Sequence, residues 1–193
     1  MPASILRRPT VLSPRLAPVE PRYAPLFCFA LLTAACALAS FAFACATPFV
    51  AFAVIAAATL SLQSALLVTL AAWLVNQAIG FGFLHYPLDA TTIMWGFAIG
   101  GAALAATGSS AAVLRLTERT GTAVALAAAL IGAYAAYELV LFAATPFLGG
   151  AEDFTAAIVG RLGLLSVLWA IGLVAACEVA RLLSHALRRQ TAS

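Results

Sequence analysis

Two groups of side chains in this sequence can do chemistry, and both lie in apolar surroundings. The first is Glu138 with Arg161. An unpartnered charge in hydrocarbon is costly, so each marks either a pair or a ligand contact. Glu138 lies seven residues before Thr145 and Arg161 seven after Phe154, on either side of the polar turn between them. At about 1.5 Å per residue both sit roughly 10 Å below that turn, and antiparallel helices bring them level. The expectation is an interhelical ion pair, with capture of a polar ligand as the alternative. Tyr134, Tyr137 and Leu141 share the helical face of Glu138 by three-to-four spacing, as packed core or as the wall of a site.

The second group runs from Asn76 and Gln77 through His85, Tyr86, Pro87 and Asp89 to Trp95. It offers an imidazole, two amides, a carboxylate and aromatic surfaces within one hairpin. His85 is a candidate metal ligand or pH-sensitive donor. The plainer account is that the aromatics mark a membrane interface and the amides bridge helices. Glu178 and Arg181, three apart, are expected to pair with each other, and His185 to be solvated. The cysteines Cys28, Cys36, Cys45 and Cys177 have no CxxC or Cys/His ligand spacing and read as small hydrophobes. There is no GxSxG, HExxH or P-loop, and no span carries paired carboxylates, so neither enzymatic chemistry nor direct use of ATP is expected.

The elements that hold these residues are membrane helices. The chain has 193 residues, 64% hydrophobic and 9% charged, against about a quarter charged in soluble domains. No charged side chain occurs between Arg22 and Asp89, an interval with room for up to three spans of about 20 residues. Apolar runs predict helices over about Pro25 to Cys45, Phe49 to Leu60, Ala65 to Ile79, Thr92 to Leu114, Thr122 to Thr145 and Phe154 to Leu183. Thr47-Pro48, Ser61 to Ser64, Gly80 to Asp89, Arg115 to Arg119 and Pro146 to Asp153 punctuate them. Phe43 to Phe49 and Phe142 to Phe147 echo each other as recurring turn chemistry. The expected fold class is all-α, an integral membrane bundle of six transmembrane helices over residues 24–187, flanked by tails at 1–23 and 188–193.

All ten basic residues are arginine, spread over tails and loops in a way no nucleic-acid-binding face requires. Arg7, Arg8, Arg15 and Arg22 precede the first helix, Arg115 and Arg119 follow the fourth, and Arg181, Arg188 and Arg189 end the sixth. An even number of spans puts these groups on one face, which the positive-inside rule makes cytoplasmic, with both termini there. The amino-terminal stretch lacks the apolar core of a signal peptide and reads as a cytoplasmic tail. In the first helix Ala30 with Ala34, and Ala35 with Ala39, are small residues four apart that let a partner helix approach closely.

This architecture resembles the S components of energy-coupling-factor (ECF) vitamin transporters. The stretch WLVNQAIGFGFLHYP from Trp73 to Pro87 is most similar to the small BtuM-type cobalamin proteins. The resemblance implies a bacterial inner-membrane component, with no cofactor of its own, that captures cobalamin at its outer end. It further implies a coupling subunit docking on the alanine surface and energy from separate ATPase subunits. Proteins of that type coordinate the cobalt through a cysteine. The loop between the third and fourth helices has none, which leaves His85 as the axial ligand expected here, ahead of Cys45. The other readings are a structural or assembly subunit without ligand, and a nickel or cobalt permease, whose histidine- and aspartate-rich motif is missing.

Overall fold

The computed structural model describes residues 14–43 and 47–191. Cys45, Arg7 and Arg8 lie outside the described residues, as does part of the Phe43 to Phe49 echo. The described residues form α1 (Ala24–Phe43), α2 (Phe49–Thr59), α3 (Leu62–Gly82), α4 (Ala90–Leu116), α5 (Thr122–Leu148) and α6 (Ala156–Thr191), with a 3-10 turn at Ala151–Asp153 before α6. Five of the six are long and apolar enough to cross a membrane. Their outward faces carry exposed Leu38, Leu74, Ile131, Leu139, Leu164 and Leu182, apolar surface that suits lipid.

The sixth, α2, is shorter than the span expected of it. Its 11 residues reach about 16 Å, roughly half of a hydrocarbon core. It is apolar all round, and ten of its residues are buried. The helix is therefore the core of the bundle, with α1, α3, α4, α5 and α6 packed about it. Phe52 stands edge-on to Trp169 of α6 at 6.3 Å between centroids.

Chain direction alternates from helix to helix. Cys36 donates to the Ala72 carbonyl at 3.2 Å, which sets α1 beside α3 in parallel. Thr69 and Thr107 share a hydrogen bond at 3.1 Å, and Trp73 Nε1 donates to the Gly96 carbonyl at 2.9 Å, so α4 runs back along α3. Small residues bring α4 and α5 together: Ala102, Ala103, Ala106, Ala125, Ala129 and Ala133 are fully buried. The contact of α5 with α6 is slighter, with Phe142 on Phe154 at 5.4 Å and Tyr134 donating to the Val159 carbonyl.

Helix ends follow local chemistry. Ser61, read from sequence as part of a break, caps α3 by accepting from the Ser64 amide at 3.4 Å. At the other end α5 runs on through Pro146 to Leu148. Proline cannot supply the amide that the Phe142 carbonyl would receive, and Thr145 Oγ1 takes that carbonyl instead at 2.9 Å. Gly149 (φ 80°) and Gly150 (φ 84°) then make the turn that a side chain would resist.

Residues 14–23 are part of the body of the protein. The Leu16 amide donates to the Ala58 carbonyl at the end of α2 at 3.0 Å, and the Leu16 side chain is 4% exposed. Arg15 donates to the Thr120 and Thr117 carbonyls at 3.0 and 2.5 Å. Glu20 pairs with Arg188 at 2.6 Å and with Arg22 at 2.9 Å, and Ser184 donates to the Pro18 carbonyl at 3.4 Å. The amino-terminal segment, the α4–α5 turn and the end of α6 thus meet at one end of the bundle, and Arg15, Arg22, Arg115, Arg119, Arg181, Arg188 and Arg189 gather there. The expected pair of Glu178 with Arg181 forms, at 2.7 Å.

Candidate functional site

At the opposite end α2 starts below the rim of its neighbours, and a cavity of about 140 Å³ opens over its first turn. Val50 belongs to that turn, and Thr47 to the approach to it. Trp95 and Ile99 come from α4, Tyr134, Tyr137, Glu138 and Leu141 from α5, and Leu162, Leu165 and Ser166 from α6. The spacing Tyr134, Tyr137, Glu138, Leu141 turns one face of α5 inward, as the three-to-four reading of that helix requires. Ser166 Oγ donates to the Leu162 carbonyl at 2.9 Å and the Tyr134 hydroxyl to Val159, so both spend their protons on backbone. Glu138 Oε1 is buried and has no hydrogen-bond partner.

The ion pair expected between Glu138 and Arg161 does not form: Arg161 is exposed, while Glu138 turns toward the cavity. Depth is not the obstacle. Phe142 against Phe154 and Tyr134 against Gly163 run the two helices past each other with Glu138 near the level of Val159. Rotation about α6 decides it, since Leu162, Leu165 and Ser166 occupy the inward face and Arg161 sits about 100° of helical turn away from Leu162.

The hairpin group divides in the same way. Of it, Trp95 alone lines the cavity. Asn76 is a fastener: Nδ2 donates to Ser40 Oγ at 3.0 Å and Thr47 Oγ1 at 2.9 Å, tying α3 to α1 and to the approach to α2, while its Oδ1 accepts from Gln77 Nε2 at 3.2 Å. Gln77 Oε1 fills the space above Gly96, where a Cβ would come within 2.6 Å of it. The Tyr86 ring lies over Gly80, where a Cβ would meet it at 2.6 Å, and edge-on to Phe81 at 6.1 Å. Asp89 caps α4, its two carboxylate oxygens accepting from the Thr92 amide at 2.8 Å and the Thr92 hydroxyl at 2.9 Å. These bonds hold its carboxyl below the usual carboxylate range. Asn76, Gln77, Tyr86 and Asp89, expected as ligand contacts, are occupied by the fold itself.

His85 is exposed in the loop before Asp89 and has φ 56°, a left-handed conformation in which histidine is enriched among non-glycine residues. Among the described residues no three His, Cys, Asp or Glu side chains converge, at His85 or elsewhere.

On α1, Ala30 and Ala34 are exposed, whereas Ala39 is fully buried and Ala35 is 8% exposed. Of the expected second docking pair, Ala39 is packed inside the bundle, while Ala35 lies at the foot of the α1 face that looks toward α6. Ala34 and Leu38 border an open apolar groove between α1 and α6, floored by Trp169 and Leu173. Sequence reading missed Thr47, Val50, Ile99, Leu162, Leu165 and Ser166 as cavity residues. The spacing of Leu162, Leu165 and Ser166 is the one available signal, and it matches that of the opposing α5 face. Comparison of the chain with protein-family models, curated proteins and solved structures found no match.

Proposed function

We propose that the chain is the membrane-embedded substrate-binding component of an uptake transporter, binding its substrate without chemical change. The observation that carries this reading is the cavity over α2, with a buried carboxylate oxygen inside an apolar bundle. Ionisable groups at such depth are costly and mark ligand or ion paths. The arginine-rich end faces the cytoplasm by the positive-inside rule, with both termini inside, the cavity end outside and α2 making its short pass within the ring of the five longer helices, in a bacterial inner membrane. Energy comes from separate ATPase subunits through a coupling subunit, for which the exposed Ala30 and Ala34 edge of α1 is the contact.

Cobalamin is the substrate that the resemblance implies. A cavity of about 140 Å³ is near the size that holds benzene and is far too small for a corrin ring. A corrinoid therefore binds over the loop end, with the exposed His85 imidazole on the cobalt. Titrating aquocobalamin into the detergent-solubilised protein tests this. The expected result is a shift of the visible cobalt-corrin bands that His85→Ala abolishes. An unchanged spectrum, with no corrinoid retained on size exclusion, sinks cobalamin as the substrate.

The second reading, a ligand-free assembly subunit, draws on the apolar groove between α1 and α6. It predicts a stable complex with another membrane protein and no small-molecule binding.

A further inference from the structure

We infer that the cavity over α2 is a binding site for the cationic head of a small organic amine, held by the Glu138 carboxylate within an aromatic wall of Trp95, Tyr134 and Tyr137. The inference rests on the reading that this end receives a substrate, and is independent of cobalamin.

The argument starts from supply and demand for hydrogen bonds. An ionised carboxylate accepts at about four lone-pair sites, and a buried one persists when a cation or donors meet it. Glu138 Oε1 is buried and meets none. The protein has little left to give Oε1: Arg161 is turned outward, no basic side chain lines the cavity, the Ser166 hydroxyl donates to a backbone carbonyl, and the Tyr134 hydroxyl, which lies within hydrogen-bonding reach of the Glu138 carboxyl, donates to the Val159 carbonyl. The amino end of α2 opens on the cavity and offsets part of the negative charge, but no donor reaches Oε1.

The walls specify the rest of the ligand. Indole and phenol rings attract a cation over their faces, most strongly where water is excluded. The remaining lining is mainly aliphatic, which suits a short hydrocarbon body. A volume of about 140 Å³ compares with the roughly 150 Å³ cavity that accepts benzene, so the ligand has about six to ten non-hydrogen atoms. An anion is disfavoured by Glu138, and a neutral molecule can donate a hydrogen bond to its carboxylate but leaves the charge unbalanced.

The test uses the full-length protein in detergent, titrated calorimetrically with benzylammonium and with its neutral isostere, benzyl alcohol. Saturable binding of benzylammonium is expected, at least about tenfold tighter than benzyl alcohol, a gap worth one decade of affinity. Glu138→Gln keeps the shape of the side chain and is expected to remove that preference while the thermal midpoint holds or rises. Trp95→Leu is expected to weaken benzylammonium more than benzyl alcohol, and Arg161→Gln to leave both unchanged. Equal affinity for the two compounds, full benzylammonium affinity in folded Glu138→Gln, or no binding of benzylammonium by folded wild type overturns the assignment. Membrane vesicles from cells expressing the protein separate this from the transport reading. In ATP-energised vesicles from the native cell, where any coupling and ATPase subunits are present, binding without accumulation of labelled benzylammonium overturns transport of amines through this site and leaves the site in place, whereas accumulation lost in Glu138→Gln supports both.

Discussion

At Asp89 one exposed carboxylate takes both the amide and the hydroxyl of Thr92, bonds available only when α4 is formed. They favour the ionised form in the folded state, so the folded pKa lies below the unfolded value of about 3.9. The cap therefore contributes in full above that unfolded value and is lost as pH falls through the lower, folded one. Circular-dichroism melts should show Asp89→Ala less stable than wild type at neutral pH, with the two converging as the pH drops below about 3.9. Asp89→Asn, still a good cap, should melt close to wild type at neutral pH. This role was available to sequence reading, since an Asp just before an apolar run is a start signal. The position of Arg161 was not. Counting residues gave the depth of Glu138 and Arg161, but the facing of a side chain depends on how α6 is rolled against α2. That roll is fixed by contacts such as Phe52 with Trp169, which lie 117 residues apart in sequence. Tyr134, Tyr137 and Glu138 were legible because a single helix fixes their common face by its own period.

Helices ended where local hydrogen bonding, more than hydropathy, allowed. Proline at position 146 argued for a stop, and α5 continues because Thr145 serves the Phe142 carbonyl that proline leaves without an amide. Thr145→Val should thus destabilise the protein by about 0.5–1.5 kcal/mol, the net worth of one hydrogen bond. Combining it with Pro146→Ala returns a backbone amide to that carbonyl and should recover most of the loss in a thermal or denaturant melt. If the double variant is no more stable than Thr145→Val alone, the substitution of one donor for the other is wrong. For α2 the sequence showed a short apolar run but not its consequence. Eleven residues that are apolar on every side have no preferred face, and only the surrounding helices reveal a buried core. The close-packed alanines of α4 and α5 were equally hidden, because alanine is so common here that a small-residue stripe stands out on no helix.

The molecule as a whole is closed at its arginine end by residues 14–23. A charged, proline-containing stretch reads as a free tail, yet Leu16 is packed as deeply as core residues of the helices. Leu16→Ala should cost about 2–5 kcal/mol in unfolding, as for a core leucine, where a free tail residue would cost nothing measurable. A melt unchanged by Leu16→Ala would show that the segment does not hold the bundle. The even alternation of the helices was legible from the arginines, since Arg15, Arg119 and Arg188 had to share a face. What tied them together was not, because backbone carbonyls such as those of Thr117 and Thr120 leave no trace in side-chain patterns.

One dimension of α6 remains. At 36 residues it measures about 54 Å, against a hydrocarbon core of about 30 Å, and it is unbroken from Ala156 to Thr191. Much of the excess stands beyond the bilayer at the arginine end as a mast, stayed by Glu20 and Pro18. Leu162, Leu165 and Ser166 are on the same rigid rod at the far side of the membrane. A protein that binds the mast would therefore bear on the same unbroken helix that forms one wall of the cavity, with Trp169 resting on Phe52 between the two.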